Sequence, residues 1–481
     1  MSLWSYSLIL IILVYMLMVV ATVITVVQER RDPVKALSWI AIIVLLPVAG
    51  IVIFIFFGQD YRKRKIFNRK EIKDLRQIEE LSNRQVRSLG EVEIEEVTEH
   101  SNIIKLLLNN SKTLLTLGNK LTILNDGKET FESIISELEK AESTIHLEYY
   151  IFESDALGNR IAEILMRKAK AGVEVRFIYD DVGSWGLSRK FIHKLREAGV
   201  QTYCFMPVVF PWFSSKINYR NHRKIIVIDG KVGYTGGLNI ADRYISGTKH
   251  GVWRDTHLRL EGESVHMLQI AFMTDWYFSS KEKIRNRKKY LPPVEVTEGP
   301  AAIQIALSGP DSDWATIMQA YFSAITRAQK HIYISTPYFL PTESILCALK
   351  VAALSGVDVR IMLPEHSDSK MVHWATRSYF EELLEAKIKL YLYTKGFNHS
   401  KLIMIDGSFS SVGTANMDVR SFEDNFEVTA MIYDRTYTAE LEEQFTKDLA
   451  SCRNITMRKW LARKHKDNFK ESVARLFSPL L

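Results

Sequence analysis

A chain of 481 residues that is 47% hydrophobic and 25% charged is long enough for two or three domains and can bury a sizeable core, which excludes intrinsic disorder. Its formal net charge of +7 is modest for the length and is concentrated beside the apolar amino-terminal segment and at the carboxy-terminal end, so the charge does not demand a nucleic-acid groove. Three widely spaced cysteines, Cys204, Cys347 and Cys452, form neither a disulfide framework nor a zinc-site pattern and fit a reducing compartment.

Two uncharged runs open the chain, Trp4 to Val27 and Ala36 to Gly58. Each exceeds the roughly 20 residues that a helix needs to cross a bilayer, and the first is too long, with no basic region before it, for a cleaved signal peptide. Residues 1–60 therefore read as a two-helix transmembrane hairpin, with spans at about 4–27 and 36–58. The loop between the runs carries Arg30, Arg31 and Lys35, whereas Arg62, Lys63, Arg64, Lys65, Arg69, Lys70, Lys73 and Arg76 follow the second. Lys and Arg favour the cytoplasmic side, so both termini and the bulk of the chain are expected there, with the basic cluster against anionic lipid head groups. Residues 61–117 read as a charged linker.

The remainder contains an internal repeat. NHRKIIVIDG at 221–230 matches NHSKLIMIDG at 398–407, and His222, Lys224 and Asp229 are spaced as His399, Lys401 and Asp406, an offset of 399 − 222 = 177. GGLN (236–239) answers GTAN (413–416) at the same offset, and ESTIHLEYYIF (142–152) and KAGVEVRFIY (170–179) have counterparts in QKHIYISTPYF (329–339) and LSGVDVRIML (354–363). Two such units, each alternating strand runs with helical patterns, predict an α/β fold class: tandem α/β domains over 118–295 and 296–481, the second ending in a basic tail, packed around a shared site. Helices are expected over Phe131 to Ala141 and Ile317 to Lys330, each ahead of a strand.

Side chains alternate along a strand, so a His and a Lys two apart share one face. Asp-Gly between β-rich runs predicts a two-residue hairpin turn. With Asp229-Gly230 as the turn, paired residues sum to 459, which sets Gly237 opposite His222 with Asn239 nearby; in the second copy the sum is 813, setting Thr414 opposite His399 with Asn416 beside it. Asp229 and Asp406 then sit at the turns, in a structural or electrostatic role.

Lysine ammonium and asparagine amide groups suit an anion with several oxygens, such as a phosphodiester, and histidine can attack phosphorus or shuttle a proton. With the two units face to face, one of His222 and His399 serves as nucleophile and the other protonates the leaving oxygen, through a phosphohistidine. Lys224 and Lys401 neutralise the developing charge, so the scheme uses no metal or other cofactor; each motif has one histidine and no Cys or carboxylate at ligand spacing. Asp255 and Glu427 are the candidates to orient the imidazoles. The contiguous His465-Lys466-Asp467 lacks the strand spacing and reads as a solvated or membrane-facing surface, and CFMPVVFPWF (204–213) reads either as an interfacial loop or as a core segment.

These residues resemble the phospholipase D superfamily, whose signature is H-x-K-x4-D followed by G-[SGT]-x-N in two copies, over nearly the whole of 118–440. Within it the chain is similar to bacterial cardiolipin synthases over nearly its full length, through RRDPVKALSW, LLPVAGIVIFIFFG, NYRNHRK, MDVRSFEDNFE and the terminal ARLFSPLL. Gly237 and Thr414 stand where many relatives have Ser. The resemblance implies two phospholipase D-like domains and phosphatidyl transfer, in which one phosphatidylglycerol is attacked, glycerol leaves and a second phosphatidylglycerol accepts the group to give cardiolipin. It further implies His222 as nucleophile, His399 as general acid and then base, and Lys224, Lys401, Asn239 and Asn416 around the phosphate. The expected partners are phosphatidylglycerol and anionic membrane lipids, with no nucleic acid; the oligomeric state stays open. The competing readings are a hydrolytic phospholipase D, a membrane-tethered nuclease, for which no basic stripe interleaved with aromatics is evident near the motifs, and a non-catalytic scaffold, which two intact motifs oppose.

Overall fold

The computed structural model describes residues 3–28, 33–46, 48–57, 73–208, 219–248, 251–284, 287–294, 299, 301–463 and 465–478. The chain divides into two compact units, residues 1–68 with 208–218 and residues 69–207 with 219–481. Residues 209–213 of the segment 204–213 lie outside the described residues.

Among its described residues the first unit contains three helices, α1 (Leu3–Gln28), α2 (Pro33–Leu45) and α3 (Ala49–Phe57). The run expected as one helix over 36–58 is therefore two, and the expected two-helix hairpin is corrected to three helices. Proline at 47 lacks the N–H that an uninterrupted helix would use. Val48 follows with φ at 63°, a left-handed conformation that a β-branched residue rarely takes. Gly50 then lies so near the end of α2 that a Cβ would fall on the Ile42 carbonyl. The chain reverses there, because Trp39 of α2 meets Phe54 of α3 edge to face at 5.5 Å. Val26, Ile43, Ile51 and Phe54 form the buried centre, with Tyr15 and Val19 of α1 against it. Counting only the residues whose side chains are described, which leaves out 3–5, 8 and 11 of α1, no helix is long and apolar enough to cross a membrane.

The second unit is built on one 15-stranded sheet with two related halves. From the middle outward, the first half runs through strands 115–126, 254–261, 232–236, 224–228, 144–149, 174–180 and 201–205. The second half runs through 301–308, 427–433, 409–413, 402–405, 331–335, 358–364, 389–393 and 452–455. The halves join where Leu115 and Thr116 pair antiparallel with Gln304 and Ile303. Each motif strand, Lys224–Ile228 or Leu402–Ile405, is buried along its whole length, as its unbroken apolar run requires.

Three local expectations are corrected. The hairpins pair Ile228 with Val232 and Ile405 with Phe409, so partners sum to 460 and 814. The two-residue turns form, with Asp229 and Gly230, and Asp406 and Gly407, all at positive φ. The next residue, Lys231 or Ser408, bulges out of the ladder, so neither Gly237 nor Thr414 lies directly opposite its histidine. The helix expected to reach Lys330 ends at Ile325, because the N–H groups of Gln329, Lys330 and His331 donate to the Asp406 carboxylate instead. Much of the charged linker is packed structure. Helix Ser101–Asn110 buries Ile103, Ile104, Leu107 and Leu108 in the core of the second half, each contributing about 1.5–3 kcal/mol.

Asp229 does the same in the first half, accepting from the N–H groups of Glu142, Ser143 and Thr144 at 2.7–2.9 Å. Asp229→Ala should therefore destabilise the folded protein by about 1–3 kcal/mol in urea unfolding, since three donors lose a charged acceptor. Unchanged unfolding together with lost activity would place Asp229 in the chemistry.

Candidate active site

Each motif histidine is held by the other half of the sheet. The His222 N–H donates to the Phe426 carbonyl at 2.9 Å, and the Phe426 N–H donates to the Arg220 carbonyl at 2.9 Å. Reciprocally, the His399 N–H donates to the Arg254 carbonyl at 2.7 Å, and the Arg254 N–H donates to the Phe397 carbonyl at 2.9 Å. Phe426 and Arg254 immediately precede Glu427 and Asp255, so the same bonds deliver a carboxylate to each ring. His222 Nδ1 lies 3.0 Å from both Glu427 oxygens, and His399 Nδ1 lies 2.7 Å from Asp255 Oδ2. Which carboxylate serves which imidazole was open from sequence, and the structure pairs them crosswise. A carboxylate on Nδ1 favours the tautomer that leaves Nε2 as the reactive nitrogen.

The lysines close the site from the same strands. Lys224 Nζ donates to the His222 carbonyl at 2.7 Å and Lys401 Nζ to the His399 carbonyl at 2.5 Å, which leaves ammonium hydrogens for an anion. Burial lowers the Lys224 pKa to about 7 and the Lys401 pKa to about 8, with the second lysine adding to the shift of the first. Burial likewise lowers His222 to about 4, partly opposed by Glu427. His399 is driven well below its ordinary value by burial and then by Lys401 and Lys224. Burial alone would raise Glu427, yet His222 and Lys224 beside it hold it below its usual range, whereas burial raises Asp255 to about 6. Both imidazoles are thus neutral before an anion arrives.

The remaining sequence candidates divide. Thr414 Oγ1 hydrogen-bonds Glu427, while at Gly237 a Cβ would collide with the Asp255 carboxylate, so the missing side chain makes room for the shorter acid. Asn239 is engaged by the protein, with Nδ2 donating to the Tyr244 hydroxyl at 2.6 Å and Oδ1 accepting from the Ile151 N–H at 3.1 Å. Asn416 is buried with its Oδ1 unpartnered among the described residues. Asp229 and Asp406 lie at the far ends of the motif strands and take no part in this cluster. Among the described residues no three His, Cys, Asp or Glu side chains converge as a metal-ligand set. The side chains of His465 and Lys466 lie outside the described residues.

Sequence reasoning missed the aromatic walls. The Tyr150 ring stands edge-on to His222 at 4.9 Å, and Tyr244, Trp253 and Phe397 surround His399 at 5.3–5.8 Å. It also missed Arg223, whose side chain leaves the opposite face of the motif strand and pairs with the buried Asp275. Tyr150 lies in the repeated ESTIHLEYYIF segment and Arg223 between the motif residues, but neither position matches its counterpart in the other copy, Pro337 or Ser400.

A family model described as cardiolipin synthase, PLD-like domain matches residues 134–255 and 321–449, which span both clusters. This chain belongs to the cardiolipin synthase family. A second model, phospholipase D-nuclease N-terminal, matches residues 8–59. A cardiolipin synthase of Alkalihalophilus pseudofirmus is 44% identical over 94% of this chain and 90% of its own length. A major cardiolipin synthase of Bacillus subtilis is 40% identical over 99% of this chain and 100% of its own. The phosphatidylserine synthase structure from Haemophilus influenzae superposes with a TM-score of 0.60 at 13% identity, covering 80% of this chain and 98% of that one, and shows that the fold is shared. In this family member the two matched segments lie in the two halves of one sheet, and each supplies a histidine to the other's carboxylate.

Crosswise pairing predicts that Glu427→Gln lowers kcat by about 10²- to 10⁴-fold by upsetting the tautomer of His222 in the other half. Histidine-selective 15N NMR should show the His222 signals moving while those of His399 stay. The lysine values predict a second outcome. Both are lowered, so the free enzyme loses ammonium charge as pH rises through about 7 to 8, and kcat/KM should fall over that window. A kcat/KM profile that is flat to pH 10 would count against the lysines as the phosphate clamp.

Proposed function

We propose that this protein is a membrane-bound cardiolipin synthase that transfers a phosphatidyl group between two phosphatidylglycerol molecules. The carrying observation is the pair of crosswise imidazole–carboxylate couples, each with a buried lysine, contributed by the two halves of one sheet. The functional repeats are residues 118–295 and 296–481.

In the first step His222 Nε2 attacks phosphorus and the P–O bond to the leaving glycerol breaks. Binding of the anionic phosphodiester first draws a proton from solvent onto Nε2 of the otherwise neutral His399, whose imidazolium Asp255 stabilises, and the leaving oxygen takes that proton. In the second step neutral His399 takes the proton from the head-group hydroxyl of another phosphatidylglycerol, whose oxygen attacks phosphorus and releases His222. Glu427 supports the positive charge of the phosphohistidine, and Lys224 and Lys401 recover full protonation beside the bound phosphate. Asn416, with an unpartnered buried amide oxygen, completes the phosphate pocket by turning its amide hydrogens toward the anion, while Asn239, Gly237 and Thr414 shape it. Residues 1–60 hold the enzyme at the membrane, and the basic run after Gly58 keeps the catalytic unit on the cytoplasmic side, against anionic lipid.

Purified protein given labelled phosphatidylglycerol should yield cardiolipin and glycerol, at a rate that chelators leave unchanged. Phosphatidate without cardiolipin would favour hydrolysis instead. His222→Ala and His399→Ala should each abolish transfer, and acid-labile trapping of phosphorus-labelled lipid on His399→Ala but not His222→Ala would assign the nucleophile.

A further inference from the structure

We propose that α1 crosses the bilayer once and that α2 and α3 dip into the cytoplasmic leaflet and return, so that the amino terminus lies across the membrane from the catalytic unit. The inference rests on the proposed cytoplasmic placement of that unit and replaces a two-span arrangement of residues 1–60.

Length separates the helices. The side chains of residues 3–5, 8 and 11 of α1 lie outside the described set, but its sequence is uncharged throughout its 26 residues. At 1.5 Å per residue that is about 39 Å, enough for a hydrocarbon core of about 30 Å. By the same measure the 13 residues of α2 and the 9 of α3 reach only about 20 and 14 Å. They do not add end to end. In a straight helix Trp39 and Phe54 would stand about 22 Å apart along the axis, whereas their ring centroids are 5.5 Å apart.

The tip of this short hairpin is made for lipid. Val44, Leu45, Leu46 and Val48 are 55%, 75%, 47% and 64% exposed, a contiguous apolar patch at the point of reversal. A turn inside a bilayer must satisfy its own backbone. Here the Leu46 N–H donates to Ile42 at 3.0 Å, Gly50 to Leu46 at 2.7 Å and Val52 to Val48 at 3.0 Å, and a proline at 47 has no N–H to satisfy.

Charge decides the orientation. With two spans, Arg30, Arg31 and Lys35 would be exported in a short loop, against the bias that keeps such residues inside. With one span and a hairpin that returns to its own side, these three join the basic residues 62–76 in the cytoplasm. The exported end of α1 then carries no Lys or Arg.

The test is single-cysteine labelling in cells with a membrane-impermeant maleimide. In a chain with Cys204, Cys347 and Cys452 replaced by Ser, Ser2→Cys should label in intact cells, and Gln28→Cys and Gln59→Cys only after permeabilisation. Labelling of Gln28→Cys in intact cells with Ser2→Cys protected would establish two spans and overturn the proposal. Protection of all three would overturn it by showing that α1 does not cross. An amino-terminal epitope read on intact spheroplasts repeats the measurement without removing cysteines. Cardiolipin formation in the same strains is scored separately, so a failed enzymatic reading is distinct from a failed topology.

Discussion

The catalytic cluster depends on an exchange of backbone hydrogen bonds between the halves of the sheet. Residues 220 and 222 bond Phe426, and residues 397 and 399 bond Arg254, so neither histidine is positioned by its own repeat alone. The side-chain couples follow, because the residue after each of those partners is the acid that meets the ring. A single repeat would hold an imidazole without its acid and an acid without its imidazole. The antiparallel seam at Leu115 and Gln304 therefore also sets the register of the chemistry.

Burial makes this exchange consequential. A lone carboxylate or ammonium group removed from water is costly, and buried charges survive when they are paired and hydrogen-bonded. Here two acids face two lysines and two imidazoles, so the cluster is near balance until an anion enters and draws protons onto the nitrogen bases. The halves are not copies in detail. Glu427 reaches its histidine with help from Thr414, while Asp255 uses the space left by Gly237 and accepts from the Thr256 N–H. A substitution at one position of the pair is therefore not equivalent to its counterpart in the other.

Repetition made much of this legible in the sequence. His222, Lys224, His399 and Lys401 stand out because packing alone does not ask for the same polar pair in two buried strands, and the α/β alternation with its duplication was readable from the same comparison. Asp255 and Glu427 could be listed, but their crosswise use could not, since it depends on strand register between residues more than a hundred positions apart. The turn register slipped by one because a bulge at Lys231 or Ser408 leaves no mark in composition. The helix ending at Ile325 was misjudged because the Asp406 carboxylate, distant in sequence, takes the next N–H groups. The charged linker hid its Ile103 to Leu108 face among acidic and basic neighbours. The run 36–58 is apolar enough to read as one helix, and the break at Pro47 is marked by that one residue alone.

The packing of Ser101–Asn110 has a consequence for the order in which the molecule is made. Its apolar side belongs to a core completed by Ala302, Ile332, Ile361 and Trp460, and Gln304 Nε2 donates to the Thr113 carbonyl at 2.7 Å. A ribosome therefore releases this helix some two hundred residues before the strands that cover it. The first half can gather around Ile134, Ile145 and Phe177 while these leucines and isoleucines wait in the open. An element made early thus gains its cover only when the carboxy-terminal core exists, and that core joins the two ends of the catalytic unit.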